Sequence, residues 1–320
     1  MVLKPSHHLT LTVAELQSFG KAVRRIVLQD PDGWELPRFT PGAHIDVHLP
    51  QGGVRQFSLS GDPAVRDRYE LAVLARRDGR GGSSWIHDSL AVNDTVYASL
   101  PRNHFPLDTT FGNFILLAGG IGITPLRSMT FELARLGKPF QLWYCARDEA
   151  HAPYADELRA RVPGSQLRLR FSNGRTEQRL DLLELLANVR HNTAVYCCGP
   201  HGFMRAAREA TRHWPDGSIR FEAFSAAADD IRTGPGFDVV LARSGRTIPV
   251  RGGQSILNAL REHDVEVESS CEAGVCRSCK TDFSAGVPVH RDLVLSADER
   301  RKSMLICVSG CSSDQLVLER

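Results

Sequence analysis

Cys271-Glu272-Ala273-Gly274-Val275-Cys276-Arg277-Ser278-Cys279 places three cysteines in the spacing C-x4-C-x2-C, and Cys307 follows at a distance. This is the ligand spacing of one class of [2Fe–2S] clusters. Three thiolates on one short loop require a tightly curled backbone, and Gly274 is free to adopt the positive φ that such a curl needs. Structural zinc sites usually present two short paired knuckles, so the spacing favours iron and sulfur over zinc. The predicted metal ligands are Cys271, Cys276, Cys279 and Cys307.

The segments around the four cysteines predict a small β-rich domain. Met304-Leu305-Ile306 is apolar and indicates a buried strand that ends at Cys307. Phe237–Ala242 and Thr247–Val250 alternate like strands, and Gln254–His263 has the spacing of a short amphipathic helix. Residues 226–236 are small and polar without periodicity, which is typical of a linker.

Composition limits the possible functions. A chain of 320 residues suggests two or three domains, and 42% hydrophobic with 24% charged residues describes an ordinary globular protein. The formal charge of +2 gives no reason to expect a nucleic-acid partner. There is no apolar leader and no 18-residue apolar stretch, so we expect a cytoplasmic protein without a membrane span. The other cysteines then remain unpaired: Cys145, Cys197, Cys198 and Cys311.

The middle third has the order strand, glycine turn, helix. Phe114–Ala118 is a continuous apolar strand, Gly119–Ile123 is rich in glycine, and Leu126–Leu136 is helical in pattern. Thr124 is predicted to cap the helix, with Pro125 as its first residue. Free N–H groups at such a helix start bind anions, and glycines let the backbone approach a pyrophosphate. A tight turn between packed elements would have the same pattern. The predicted nucleotide contacts are Gly119, Gly120, Gly122, Thr124 and Pro125.

Two further strands end in polar or glycine-containing turns. Phe140–Cys145 runs into Arg147 and Asp148, where the ribose of an adenosine would lie in a βαβ unit. Ala194–Cys198 runs into a second strand-to-helix turn. Ligands of open α/β sheets bind at this carboxyl edge. The second turn adds the predicted contacts Cys198, Gly199, Pro200 and Phe203.

These strings resemble a known superfamily. Gly119-Gly120-Ile121-Gly122-Ile123-Thr124-Pro125 and Cys198-Gly199-Pro200 are similar to the two pyridine-nucleotide signatures of the ferredoxin–NADP reductase superfamily. The resemblance implies that Cys198 sits beside the nicotinamide, although a buried cysteine in a strand is also a common packing residue. It further implies a flavin in the first third of the chain.

Arg55-Gln56-Phe57-Ser58-Leu59 resembles the flavin signature of that superfamily. The resemblance implies that Arg55 holds the flavin phosphate, that Phe57 lies against the ring and that Ser58 reaches flavin N5. A guanidinium grips phosphate well and a hydroxyl can donate to a flavin nitrogen. The same residues could form a plain barrel strand with Phe57 and Leu59 inward.

A second element is predicted at the flavin phosphate. Gly79-Arg80-Gly81-Gly82-Ser83-Ser84 precedes the amphipathic stretch Trp85–Leu90, with Ser83 as its cap. Together with Arg55 it would suit one terminal phosphate, and Trp85 is the one candidate nearby for an adenine platform but not a clear one, so we expect FMN and not FAD. The predicted flavin contacts are Arg55, Gln56, Phe57, Ser58, Val73, Leu74, Gly81, Gly82, Ser83 and Ser84.

Two polar strings have simpler interpretations. His44, Asp46 and His48 share one strand face, which we interpret as solvated or packed on flavin, because no ligand set completes a metal site. Arg24-Arg25 is interpreted as surface charge.

Over its whole length the chain resembles the phthalate dioxygenase reductase family, including Leu100–Leu107 at the first domain boundary. The predicted fold is multidomain: an antiparallel flavin-binding β-barrel (1–107), an α/β parallel-sheet NAD-binding domain (108–225), a linker (226–236) and a C-terminal β-grasp plant-type ferredoxin domain (237–320). Arg277 departs from the small residue usual in such ferredoxin domains, which alters the surface charge beside the cluster.

The family resemblance also implies a function. Hydride passes from NADH to FMN N5, and single electrons pass through a [2Fe–2S] cluster to a Rieske-type oxygenase or demethylase. Phe221-Glu222-Ala223-Phe224 is similar to the family segment near flavin and nicotinamide, so Glu222 and Phe224 join Ser58 and Cys198 as candidate catalytic residues; aromatic residues at strand ends are otherwise usually core. We expect a monomer. A stand-alone NADH-dependent flavin, ferric or cytochrome reductase and a non-enzymatic redox sensor remain alternatives.

Overall fold

The computed structural model describes residues 8–20, 22–75, 82–224 and 235–320. By its internal contacts the chain divides into two compact units. The first comprises residues 1–203 and 210–219, and the second comprises residues 204–209 and 220–320. The predicted boundaries at 107, 225 and 236 remain predictions, and most of the predicted linker, as well as Gly81, lies outside the described residues.

The N-terminal sheet is antiparallel, as predicted. Its strands follow the order β4-β3-β6-β1-β2-β5, with β7 paired to β3. The Ser60 amide donates to the Glu70 carbonyl at 2.8 Å, so the ends of the two edge strands meet. Helix α1 (Gly82–Asp88) follows β5. The strands are β1 (Leu9–Phe19), β2 (Val23–Gln29), β3 (Ala43–His48), β4 (Val54–Ser58), β5 (Tyr69–Leu74), β6 (Thr95–Ala98) and β7 (Arg102–Asn103).

The second sheet has the order β10-β9-β8-β11-β12, and the pairs among its first four strands are parallel. Five residues of its central strand, 114–118, are fully buried, as expected of a parallel sheet covered on both faces. Short 3₁₀ turns lie at Gly120–Gly122, Glu149–His151 and Thr176–Gln178. The elements are β8 (Asn113–Gly119), α2 (Ile123–Arg135), β9 (Phe140–Ala146), α3 (Ala155–Arg161), β10 (Leu167–Phe171), α4 (Leu182–Leu185), β11 (Thr193–Cys198), α5 (His201–Ala210) and β12 (Ile219–Glu222).

Two predicted helix caps are wrong. The 3₁₀ turn Gly120–Gly122 continues directly into α2, so the helix begins at Ile123, and Thr124 lies inside it with its hydroxyl donating to the Ile121 carbonyl at 3.0 Å. Pro125 is therefore the third residue of the helix and not the first. Helix α1 begins at Gly82, which places Ser83 in its first turn instead of before it.

The C-terminal sheet has the order β14-β13-β19-β15-β17. Its central pair β13 and β19 is parallel, and the other described pairs are antiparallel. Helix α6 buries Ile256, Leu257 and Leu260 on the face that the sequence predicts. The elements are β13 (Phe237–Leu241), β14 (Thr247–Val250), α6 (Ile256–Glu262), β15 (Lys280–Ala285), β16 (Pro288–Val289), α7 (Ala297–Arg300), β17 (Ser303–Leu305), β18 (Gly310–Cys311) and β19 (Gln315–Leu318). The mixed five-stranded sheet with helix α6 is the predicted β-grasp arrangement.

Across the described residues, no helix is both long and apolar enough to span a bilayer.

Candidate functional site

The four cysteines of the C-terminal motif come from two places in the β-grasp sheet. Three lie on the loop that leads into β15, and Cys307 follows β17, which pairs with β15. Cys279 and Cys307 are buried, whereas Cys271 and Cys276 are half-buried. The pairing of β15 with β17 therefore delivers the distant fourth cysteine to the loop, as the sequence predicts.

The cysteine loop is curled by left-handed residues. Gly274 has φ of +73°, and a side chain there would lie 2.7 Å from a Val308 methyl, so glycine is required for conformation and for space. Glu272 and Arg277 also have positive φ, of 50° and 65°. Sequence reasoning anticipated only the glycine, because non-glycine residues seldom adopt this conformation.

The strongest interactions among the four thiols join Cys271 with Cys276 and Cys279 with Cys307, and weaker charge interactions cross between these pairs. The Cys271 thiol hydrogen-bonds to Cys276 and lowers the pKa of Cys276 to about 4, against the effect of burial. The thiol of Cys307 lowers the pKa of Cys279 in the same way. The Cys271 amide also points at Cys276 Sγ, at 3.4 Å, and such N–H groups favour a thiolate. Two thiol pairs around one loop fit a cluster of two irons that takes two cysteines on each.

Arg277 is held in place beside the cysteines. Its NH1 donates to Glu299 Oε1 at 2.9 Å and its NH2 to the Val294 carbonyl at 2.6 Å, while Lys280 reaches the same Glu299 oxygen at 3.0 Å. Burial raises the pKa of Glu299, but the Ser296 amide, Lys280 and Arg277 outweigh it and bring the pKa down to about 2. The unusual arginine therefore comes with a carboxylate that compensates its charge.

The two predicted nucleotide signatures lie against each other. A side chain at Gly122 would lie 2.2 Å from the Cys198 carbonyl oxygen, and one at Gly119 would lie 2.7 Å from Pro200 Cδ. Gly120 has φ of +54°, and apart from its own local backbone no atom of the described structure lies within 4 Å of the place that a Cβ would occupy there. Close packing at two glycines and open space at the third leave a backbone surface that fits a pyrophosphate.

Cys198 itself is fully buried at the end of β11 and belongs to the core of the nucleotide sheet. This burial agrees with the packing interpretation, and contact with a nicotinamide remains a prediction. Phe203, on α5, lies 3.3 Å from the position of a side chain at Gly119, so it borders the same turn.

Arg147 and Asp148 follow β9 at the carboxyl edge of the sheet, where the prediction placed them. Asp148 accepts hydrogen bonds from the amide and Nδ1 of His151, at 3.1 and 2.6 Å, and caps the turn Glu149–His151. The hydrogen bond from His151 lowers the pKa of Asp148. The structure thus gives Asp148 a capping role, and ribose contact stays a prediction for both residues.

The predicted phosphate elements of the flavin site meet. A side chain at Gly82 would lie 2.5 Å from Arg55 Cγ and 2.8 Å from Arg55 Nε, so the arginine crosses the start of α1. Ser83 and Ser84 occupy the first turn of this helix. A guanidinium beside the backbone N–H groups of a helix start fits a phosphate.

Side chains along the predicted flavin strand differ in burial. Ser58 and Leu59 are buried, Phe57 is half-buried against the barrel core and Gln56 is exposed. On β5, Val73 is buried, whereas Leu74 is 36% exposed. The plain barrel-strand interpretation is therefore correct for Leu59, and contact between Ser58 and a flavin stays a prediction.

His44 lies directly across from Ser58 in the pairing of β3 with β4. It is 5% exposed, and burial lowers its pKa to about 4. Among the described residues its Nε2 has no hydrogen-bond partner, so His44 itself is not solvated and its position fits packing on a ligand, whereas Asp46 and His48 on the same face are half-buried. Asp46 pairs with Arg102 instead. Within the described chain no three His, Cys, Asp or Glu side chains form a site for a single metal ion.

Glu222 and Phe224 lie at and just beyond the end of strand β12 and belong to the second compact unit. Phe221 is buried, whereas Phe224 is 47% exposed. Phe224 is therefore not a core residue, which is the usual role of an aromatic residue at a strand end. A role beside the flavin stays a prediction for Glu222 and Phe224.

Comparison with known proteins agrees with this geometry. Residues 239–311 match the family model for the 2Fe-2S iron-sulfur cluster binding domain, and residues 116–209 match the oxidoreductase NAD-binding domain. Phthalate dioxygenase reductase of Burkholderia cepacia is 39% identical over 312 residues, 97% of each chain. The chain belongs to the phthalate dioxygenase reductase family.

A solved structure of phthalate dioxygenase reductase superposes with a TM-score of 0.71 at 39% identity and covers 98% of both chains. Another relative is the tetrachlorobenzoquinone reductase of Sphingobium chlorophenolicum, 38% identical over 98% of this chain and 99% of its own length. Membership of the phthalate dioxygenase reductase family makes this chain an NADH-dependent iron–sulfur oxidoreductase that binds FMN.

Proposed function

We propose that this chain is the reductase component of a Rieske-type oxygenase or demethylase system. The observation that carries the proposal is the 39% identity to phthalate dioxygenase reductase over 97% of both chains. That similarity spans the barrel, the nucleotide sheet and the cysteine loop together. A [2Fe–2S] cluster passes on one electron at a time, so the chain needs an acceptor that takes single electrons.

Each group of residues would have its own role. Arg55 and the first turn of α1, which lie against each other, would hold the FMN phosphate, and Ser58 and His44, which are paired across β3 and β4, would contact the flavin ring. The glycine turn Gly120–Gly122 holds the NADH pyrophosphate. The bound FMN supplies the step from two-electron to one-electron chemistry.

In the cysteine loop, we propose that one iron takes Cys271 and Cys276 and that the other takes Cys279 and Cys307, because the sulfurs pair in this way. Metal ligands must be deprotonated, and the backbone N–H groups that point at sulfur favour the thiolate form.

We also infer a monomer in the cytoplasm. All eight cysteines, each within the described residues, are free of disulfides, which supports a reducing compartment. Gel filtration coupled to light scattering tests the monomer, and a mass corresponding to two chains contradicts it.

The test of the proposed function is reconstitution. The purified chain, NADH and a purified Rieske-type oxygenase with its substrate should consume NADH in step with product, and omission of the oxygenase should stop product formation. NADH oxidation without any electron delivery to a set of such oxygenases would contradict the proposal.

A second candidate, direct reduction of a quinone, is favoured by the similarity to tetrachlorobenzoquinone reductase. Quinone reduction through the flavin alone does not require the iron–sulfur cluster. A kcat/KM for quinones that exceeds the value for the oxygenase, and that survives loss of the cluster, would select this candidate.

A further inference from the structure

Arg127 is a buried arginine that the proposed function leaves without a role. It lies on α2, and its side chain is 4% exposed. Its Nε and NH2 donate to the two carboxylate oxygens of Glu157 at 3.0 and 2.8 Å. The rings of Phe131 and Tyr154 lie 4.8 and 4.2 Å from the guanidinium carbon. The bidentate pair and the two aromatic faces fix the plane and the position of the guanidinium.

The remaining nitrogen of Arg127 bonds to the other sheet. NH1 donates to the Ser60 carbonyl at 2.6 Å and to Glu70 Oε2 at 3.3 Å. Glu70 also accepts from Arg25 Nε at 3.0 Å. Burial raises the pKa of Glu70, but the charges of Arg127 and Arg25 outweigh it and lower the pKa overall. One guanidinium on the nucleotide side is thus bonded to the backbone and to a carboxylate of the antiparallel sheet.

Both ends of this connection lie close to the proposed chemistry. Ser60 is two residues beyond Ser58, the proposed contact to flavin N5. Helix α2 starts from the glycine turn Gly120–Gly122, and Arg127 follows one turn later. Ser60 makes a second contact with the nucleotide domain: its Oγ lies within hydrogen-bond distance, 3.1 Å, of the Tyr154 hydroxyl. All these residues belong to the same compact unit.

The rate of hydride transfer depends on the distance between the two elements that this connection joins. The reacting atoms must lie about 3–3.5 Å apart, and a misplacement of about 1 Å costs on the order of a hundredfold in rate. A buried ion pair adds little net stability compared with apolar packing, so four directional bonds on one arginine are better suited to fixing geometry than to adding stability.

We propose that Arg127 is a positioning residue for hydride transfer, which holds the flavin strand at Ser58–Ser60 and the nucleotide-binding helix α2 at a fixed separation. The proposal rests on the proposed function, because it takes FMN and NADH to bind at these two elements. Arg127 touches neither reacting group and acts through the Ser60 carbonyl and the helix that carries it.

The test compares Arg127→Lys and Arg127→Met with Arg135→Lys, a control on the same helix whose exposed side chain pairs with Glu132. Stopped-flow reduction of the bound flavin over a range of NADH concentrations gives a limiting rate and a Kd for NADH separately. Hydrogen exchange of the backbone amides around Ser60 is measured on the same proteins. Glu157→Gln provides a milder variant if Arg127→Met does not fold.

We expect the Arg127 variants to lose about tenfold to a hundredfold in the limiting rate, with flavin content and NADH Kd within about twofold of wild type. The amides around Ser60 should exchange faster, and Arg135→Lys should match wild type in both measurements. A folded Arg127→Lys with a wild-type limiting rate overturns the proposal. So does a rate loss that comes entirely from released flavin or weakened NADH binding.

Failure of the proposed function would look different. In that case the wild-type chain itself would not pass electrons to an oxygenase, whatever the behaviour of the Arg127 variants.

Discussion

The position of the Arg55 side chain depends on Gly82, which leaves room for it because glycine has no side chain. The aliphatic part of Arg55 crosses the first residue of α1, where a Cβ on Gly82 would lie 2.5 Å from Arg55 Cγ. The contact is with a flexible side chain, so an added methyl group moves the arginine rather than the backbone. If Arg55 holds the FMN phosphate as proposed, a substitution at Gly82 should weaken FMN binding without changing the arginine itself.

Gly82→Ala should weaken FMN binding by about tenfold, because the guanidinium is displaced from the helix start, equivalent to roughly 1.4 kcal/mol. Arg55→Ala should weaken it further, by about 2–5 kcal/mol, since it removes charge-assisted contacts to a phosphate. Fluorescence titration of the flavin-free proteins with FMN measures both. Wild-type affinity in Arg55→Ala would place the phosphate elsewhere.

Cys276→Ser should abolish reduction of cytochrome c, because electrons leave through the cluster, while reduction of ferricyanide by the flavin persists. Cys311→Ser is the matched control: Cys311 is buried in the same domain, outside the ligand motif, and this variant should keep both activities. The comparison uses steady-state assays on proteins with measured flavin content. Loss of both activities in Cys276→Ser with flavin still bound contradicts the separation.

At the residue scale, the sequence predicts those features that depend on residue type and spacing. Two examples are the four cysteines of the cluster motif and the juxtaposition of Arg55 with the helix start at Gly82. Arg127 and Arg25 were missed, because Arg24-Arg25 looks like surface charge in sequence, whereas the fold brings Arg25 to Glu70 and leaves it 17% exposed. Partners 45 residues apart leave no signal in local spacing.

At the scale of elements, the glycine that ends the turn Gly120–Gly122 determines how closely this turn packs against strand β11. At Gly122 a Cβ would lie 2.2 Å from the Cys198 carbonyl oxygen, and this backbone belongs to the core strand β11. Neither side of the contact can move without shifting a strand or a helix.

Gly122→Ala should therefore destabilise the chain by several kcal/mol, on the order of 2–4, through forced backbone movement. Gly202→Ala is the control, since Gly202 lies in helix α5 with no described atom within 4 Å of the place that its Cβ would take, and it should be neutral or stabilising by roughly 0.5–1 kcal/mol. Urea unfolding followed by circular dichroism compares them. Equal stability of the two variants would contradict the packing of the turn on β11.

Glu299→Gln should lower stability by roughly 1–2 kcal/mol, because it removes the negative charge that pairs with Arg277 and Lys280 and leaves one acceptor oxygen where the carboxylate offers two. The folded pKa of about 2 lies below the ordinary value of 4.5, so this stabilisation is complete above pH 4.5 and disappears as the pH falls towards 2.

The difference in Tm between wild type and Glu299→Gln should thus stay constant from about pH 8 to pH 5. Asp298→Asn, on the same helix but 83% exposed, should change nothing. A difference that shrinks between pH 8 and pH 5 would show that Glu299 titrates there and that the ion pairs do not hold it.

Strand and helix locations follow from the sequence wherever burial imposes a period. The strand at Thr247–Val250 and the buried face of α6 are confirmed, because alternation and helical spacing report burial directly. The caps at Thr124 and Ser83 are wrong by one or more residues. Helix starts depend on the geometry of the preceding turn, and a 3₁₀ turn running into α2 needs no capping side chain.

For the whole molecule, the two compact units separate hydride transfer from the iron–sulfur chemistry. The barrel and strands β8 to β11 of the nucleotide sheet share one compact unit, which suits a hydride transfer that requires fixed geometry. The cysteine loop lies in the second unit with its own hydrophobic core. The length of 320 residues predicted a multidomain chain, but only the motifs and the family resemblance specified which domains, because many folds share that length and composition.

The central claim is that electrons from NADH pass through FMN into the [2Fe–2S] cluster of the same chain. Rapid freezing of the purified protein after anaerobic mixing with NADH, followed by electron paramagnetic resonance, tests it most directly. We expect the signal of a reduced [2Fe–2S] cluster to rise after the flavin absorbance falls and within the time of one turnover with cytochrome c. A cluster that remains oxidised on that timescale, while the flavin is fully reduced, would contradict the account.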